Sequence, residues 1–89
     1  MNDREKEILV IAQEECAEVI QEISKIFRFG IDNDHKSGVK HRDVLEMEVG
    51  DLQCMINLLI ENNIVSKNGV EVAVGVKQQK LKKWSKIYD

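Results

Sequence analysis

Apolar residues recur every three to four positions along three stretches of the 89-residue chain, and polar residues break the pattern between them. The first stretch predicts a helix from about Asp3 to Phe29. Ile8, Ala12, Val19, Ile23 and Ile26 share one face, Asp3 is the candidate N-cap, and Gly30 is a C-terminal stop. Residues 30–41 (GIDNDHKSGVKH) hold two glycines, three Asx residues and a serine, so they read as a connection with at most a short helical turn. A second helix is expected from about Arg42 to Asn63, ended by an Asn-Asn pair that tolerates left-handed backbone. In the third stretch Val70, Val72, Val74 and Val76 alternate with Glu71, Ala73 and Gly75, which is a strand pattern. A lone short strand has nothing to pair with elsewhere in the chain, so a helix from about Gly69 to Lys86 is expected instead.

Spacing the residues at about 100° per position shows where the acids fall. On the first helix, with Ile8 at zero, the apolar arc runs from Ile11 at about 300° round to Ile20 at about 120°. Glu15 falls inside it at about 340°, Glu18 borders it at about 280°, and Glu14 lies further toward solvent at about 240°. On the second helix, with Val44 at zero, Met55, Leu59, Leu52 and Leu45 occupy about 20° to 100°, and Leu58 about 320°. Glu48 at about 40° and Asp51 at about 340° sit in the middle of that stripe. An unpaired ionised carboxylate there costs several kcal/mol, so compensation is required: a salt bridge, a raised pKa that leaves the acid neutral, or a bound cation. Lys77 shares the stripe of Val70, Val74, Leu81 and Tyr88 on the third helix, but one lysine cannot neutralise four acids. Glu15 with Glu18, and Glu48 with Asp51, are i, i+3 pairs, each projecting its oxygens from one helix. Two such pairs on facing helices make the all-oxygen environment that Mg²⁺ or Mn²⁺ prefers. The blander alternative places these acids on a bundle rim or against basic groups at a subunit interface. A di-iron carboxylate site fits less well, because neither His35 nor His41 supplies a Glu-x-x-His motif.

Composition narrows the class. A short chain with 43% hydrophobic residues, 33% charged residues and no proline suits one all-α domain spanning residues 1–89, with too small a core to stand without help. Association of three main helices into a four-helix-like bundle, as a homodimer or homotetramer, is therefore expected. No apolar run approaches the length of a membrane span, so no membrane partner is expected. Cys16 and Cys54 lack zinc-finger or redox spacing and no secretory leader precedes them, which reads as a cytoplasmic protein with buried thiols. Residues 1–76 carry 8 basic and 15 acidic groups, whereas residues 77–89 carry five lysines and one aspartate. An acidic body with a basic last helical turn argues against a nucleic-acid polymer as partner.

The acids also form a recognisable pattern. Glu14-Glu15-Cys16-Ala17-Glu18 is E-E-x-x-E and Glu48-Val49-Gly50-Asp51 is E-x-x-D, on successive amphipathic helices. Together with their surroundings (AQEECAEVIQEISKIFRFG and LEMEVGDLQCMINLLIE) they resemble the MazG-like all-α nucleoside triphosphate pyrophosphohydrolases. That superfamily includes dimeric dUTPases and phosphoribosyl-ATP pyrophosphatases. The likeness covers most of the chain, and the long separation of Glu18 from Glu48 departs from the family pattern. The resemblance implies Mg²⁺-dependent hydrolysis of a nucleoside triphosphate to the monophosphate and pyrophosphate. It implies Glu15, Glu18, Glu48 and Asp51 as metal ligands, with Glu14 as a catalytic, water-orienting acid.

Basic residues then become candidates for the phosphates: Lys77 and Lys80, with Lys82 and Lys83, and Lys25 and Arg28 near the end of the first helix. Trp84 reads as core more readily than as a base-stacking residue, and His35, Lys36 and Ser37 are either substrate contacts or ordinary turn residues. Two alternatives remain at this level: a non-enzymatic helical assembly module, and phosphoribosyl-ATP hydrolysis within the same superfamily.

Overall fold

The computed structural model describes residues 1–36 and 38–89, His35 by its backbone alone. Helix α1 spans Asp3–Phe29, strands β1 (Asp34–Lys36) and β2 (Val39–Lys40) form a two-stranded antiparallel hairpin, and helices α2 (His41–Glu61) and α3 (Lys67–Trp84) follow. The all-α expectation of three helices holds, with the strands confined to the connection. The possible substrate contacts by the side chains of His35 and Ser37 lie outside the described residues.

Helix α1 is capped one residue earlier than expected. Asn2, not Asp3, accepts from the Glu5 backbone N–H at 2.8 Å, while the Glu5 side chain accepts from the Asn2 N–H at 3.2 Å. This reciprocal arrangement satisfies two of the N–H groups that a helix start leaves without partners. The helix stops at Gly30, whose φ of 92° is open only to a residue without a Cβ, and the Asn33 amide donates to the Phe29 carbonyl. The connection is pinned to α2 by a two-pronged pair, Arg42 Nε and Nη2 donating to the two Asp32 oxygens at 2.9 and 3.2 Å. That guanidinium holds the exposed Asp32 carboxyl below its usual range. The pair therefore contributes stability above the ordinary aspartate pKa and loses it as pH falls through the depressed value. An NMR titration should show the Asp32 midpoint moving up toward the ordinary value in Arg42→Gln.

Helices α1 and α2 pack antiparallel, and residue pairs across the seam recur every seven positions. Ile8 meets Met55 in the core, Glu15 lies beside Glu48, and Glu22 bonds His41. Seven residues are two turns, so one stripe on each helix faces its neighbour throughout. The buried apolar residues among those described are Ile8, Ala12 and Met55, with Ile11, Leu58, Leu59 and Ile64 packed around them. Helix α2 ends as its sequence predicts, with Asn63 in left-handed backbone at φ 58° and Ile64 turned back onto the Leu59 carbonyl.

Helix α3 forms in preference to a strand, but packs substantially against neither α1 nor α2. Val72, Val74, Val76, Trp84, Ile87 and Tyr88 are exposed along and beyond it. The radius of gyration is 15.9 Å. A compact domain of this length has about 12 Å. The Cα atoms span 41 × 37 × 14 Å, and the smallest dimension has depth for no more than a pair of helices. Cys16 and Cys54 are exposed, contrary to the expectation of buried thiols, because a single helical neighbour covers only a narrow strip of each amphipathic face.

An 18-residue helix without a packing partner depends on its caps. Ser66 Oγ accepts from the Gly69 N–H at 2.8 Å, and a Cβ at Gly69 would collide with that same hydroxyl. Ser66→Ala should cost α3 about 1 kcal/mol. Hydrogen exchange should register this as faster exchange confined to α3, with the protection of α1 and α2 unchanged.

Candidate functional site

The middle layer of the α1–α2 seam is acidic. Glu15 from α1 and Glu48 and Asp51 from α2 each offer one carboxylate oxygen, and the three oxygens lie within 4.8 Å of one another. The periodicity explains the meeting. Glu15 and Glu48 occupy the same inward heptad positions that Ile8 and Met55 fill one layer away, and Asp51 follows Glu48 by one turn.

Glu15 and Glu48 are half-buried and Asp51 is exposed. The expectation of Glu48 and Asp51 in mid-core is corrected to this extent. Helix α3, which would have closed over that face, stands away, and the surrounding Leu45, Leu52 and Leu59 are themselves only half-buried.

Electrostatics distinguish this cluster from a salt-bridge network. The Glu15 carboxyl is raised above its ordinary value by partial desolvation and by the negative charges of Asp51, Glu18 and Glu14. Glu48 is raised by desolvation and by Glu18, Asp51, Glu15 and Glu22. Every charge acting on these two groups is negative. Among the described residues the ion pairs are Glu22 with His41 and Asp32 with Arg42, so no basic side chain neutralises the cluster within one chain. Lys77, predicted inside an apolar stripe, is exposed on the unpacked α3.

The donor set fits a hard divalent cation. All three donors are carboxylate oxygens, and an octahedral Mg²⁺ with Mg–O of about 2.0–2.1 Å places its ligand oxygens about 2.9 to 4.2 Å apart. The 4.8 Å within which the three oxygens lie is slightly wider than that span. Glu15, Glu48 and Asp51 would hold the ion. Glu18 is exposed at the edge, close enough to raise both glutamates, and Glu14 is exposed.

The next layer toward the connection is a feature the sequence reading passed over. Glu22 and His41 are each only 3% exposed, and His41 Nδ1 lies 2.9 Å from Glu22 Oε1. Phe29 stacks on the imidazole, the ring centroids 5.7 Å apart and 13° from parallel. The helical projection that singled out Glu15 already held the signal, since it puts Glu22 at about 320° and His41 at about 60°, both inside the apolar arcs.

Beyond this pair lies a cleft of about 440 Å³ lined by Lys25, Phe29, Asn33, Asp34 and His41. Lys25, one of the predicted phosphate contacts, is half-buried on its wall. Arg28 is exposed with its guanidinium 4.9 Å from the centre of the Phe29 ring. Lys77 and Lys80 sit exposed on α3 and are not brought to the acids within one chain. Lys82 and Lys83 fall in the last turn of α3, where the helix dipole favours them, and lie against Tyr88 and Trp84. Trp84 is exposed, not core.

The fold and site define a helical hairpin with an unpaired acidic layer and a third, detached helix. No family model, curated protein or solved structure matches the chain.

Proposed function

We propose that this chain is a cytoplasmic, divalent-cation-dependent nucleoside triphosphate pyrophosphohydrolase, with Mg²⁺ the natural ion and Mn²⁺ a substitute. The observation that carries the reading is the convergence of Glu15, Glu48 and Asp51 without a basic partner. The E-E-x-x-E and E-x-x-D resemblance to MazG-like enzymes supports it from sequence.

A bound ion supplies positive charge to the phosphate oxygens and acidifies coordinated water. The chain's own residues do the rest. Glu15, Glu48 and Asp51 hold the ion, with Glu18 completing the acidic rim. Glu14, exposed beside Glu15, orients the attacking water and takes up its proton. Water adds to the α-phosphorus, the bond to the bridging oxygen of the β-phosphate breaks, and pyrophosphate leaves. Lys25 and Arg28, with Lys77 and Lys80 from α3, are the candidate contacts for phosphate oxygens. The test is pyrophosphate release from a panel of canonical and modified nucleoside triphosphates with Mg²⁺. Silence across the panel counts against the reading.

The working unit in this proposal is a homodimer or homotetramer that completes a four-helix-like bundle. The extended shape, the exposed apolar side of α3 and an open groove lined by Ile8, Ile11, Met55 and Leu58 all support association. So does the opposition between an acidic body and a basic last stretch. Association through the groove would bring the α3 lysines of one copy toward the acids of another. Sedimentation that finds only monomer at every concentration would remove this part. Among the described residues no helix is long and apolar enough to cross a membrane.

The detached α3 also favours a second reading, a helical assembly module without catalysis. The two differ in their response to cations, because an assembly module has no use for an ion in the acidic layer.

A further inference from the structure

The cleft at the connection end of the hairpin is not accounted for by an acidic metal layer alone. Its walls combine four chemistries: a cation from Lys25, an aromatic surface from Phe29 and His41, an amide from Asn33 and a carboxylate from Asp34. Its volume of about 440 Å³ lies within the range of small-molecule sites.

Two observations make it more than a surface dent. Lys25 is half-buried yet forms no ion pair or hydrogen bond among the described residues, although Glu22 lies one turn away on the same helix. An unpaired ammonium held partly out of water in an acidic body favours an anionic ligand. The aromatic wall is also fixed in advance. His41 is anchored from behind by the buried Glu22 carboxylate, and Phe29 lies nearly parallel to the imidazole. A wall already ordered costs a ligand little to bind against.

Position completes the argument. His41 and Glu48 are separated by two turns of α2, and Lys25 and Glu15 by ten residues of α1, so the cleft stands roughly 10 to 15 Å along the seam from the acidic layer. A nucleoside triphosphate laid along the seam with its ring in the cleft directs its phosphates past Lys25 toward the carboxylates.

We infer that the cleft bounded by Lys25, Phe29, Asn33, Asp34 and His41 is the nucleoside end of the nucleotide site. The planar base packs against the exposed Phe29 ring, which the buried His41 imidazole backs, Asp34 accepts from sugar hydroxyls, Asn33 bonds a polar edge, and Lys25 meets the first phosphate. This inference rests on the pyrophosphohydrolase reading for the direction of the phosphates, but the cleft can be tested without turnover.

The experiment is an amide-detected NMR titration of the full chain with a panel of nucleoside 5′-monophosphates in EDTA, alongside ribose 5-phosphate. Expected are shifts centred on Phe29, Asn33 and His41, with weaker binding of ribose 5-phosphate, which lacks the ring. Lys25→Gln, at a site with no internal partner to lose, should weaken monophosphate binding about tenfold. Phe29→Leu should weaken it while narrowing the difference between nucleotide and ribose 5-phosphate.

Binding that is absent across the panel, maps elsewhere, or is indifferent to both Lys25→Gln and Phe29→Leu overturns the assignment. If monophosphates bind as expected but no triphosphate releases pyrophosphate, the cleft stands and the hydrolase reading falls. If pyrophosphate is released with a KM untouched by either cleft variant, the hydrolase reading stands and the cleft assignment falls.

Discussion

Replacing Glu48 with glutamine is expected to stabilise the cation-free protein at neutral pH, abolish its thermal response to Mg²⁺, and lower pyrophosphate release at least about 100-fold. All three effects follow from the acidic layer. Glu15 and Glu48 both titrate above their ordinary value because of partial desolvation and neighbouring negative charge. The folded chain therefore binds those protons more tightly than the unfolded chain does. Stability falls as pH rises from the ordinary glutamate pKa through the raised one. The glutamine keeps the shape and removes a charge from a cluster in which every neighbouring charge repels it, so the apo melting temperature rises.

In the wild-type chain a bound cation would provide the same relief. At a hundredfold excess over Kd it stabilises by about 2.7 kcal/mol. For a chain of this size that is an increase in Tm on the order of 10–20 °C. Because protons compete for the same oxygens, the cation-induced shift should shrink as pH falls through the raised carboxyl values. A melt of wild type and E48Q with and without millimolar Mg²⁺ reads all the stability effects at once. An E48Q protein that is less stable than wild type without cation, or still responds to Mg²⁺, would show that Glu48 serves the fold and not an ion.

Much of this site can be read from spacing, and the parts that cannot have physical causes. Helices α1 and α2 fall within two residues of their expected ends, since amphipathic period, Gly30 and the Asn62-Asn63 pair all agree. Helix α3 is shifted by two residues because Ser66, and not the neighbourhood of Gly69, supplies the cap. The β1–β2 hairpin carries no hydrophobic alternation to announce it. Helical projection puts Glu15, Glu48 and Asp51 on facing stripes, and they converge. The same projection treats a stripe as buried whether or not anything covers it. It therefore overstates the burial of Asp51, Lys77, Cys16 and Cys54, whose faces no second layer covers among the described residues. Lys25 needed the connection to fold back before its position on a cleft wall had meaning.

The buried Glu22–His41 pair is the layer whose loss should harm the fold most. Cutting His41 leaves the buried Glu22 carboxyl without its bond, and cutting Glu22 removes the same bond from a buried imidazole. Glu22→Ala or His41→Ala should therefore destabilise the protein by about 3 kcal/mol. The effect should be largest at the connection end, where His41 begins α2, its backbone N–H donates to the Asn33 carbonyl and Phe29 leans on its ring. Denaturant melts of the two single variants and the Glu22→Ala/His41→Ala double should be non-additive, the second cut costing less than the first, because the first already removes the bond the two share. A further comparison separates polarity from packing. Glu22→Met with His41→Phe fills comparable volume with apolar groups, and such replacements of buried pairs are neutral or stabilising. That variant should regain wild-type stability but lose the fixed imidazole from the cleft wall. Single variants as stable as wild type would mean that solvent reaches the pair and that the layer does not hold the hairpin together.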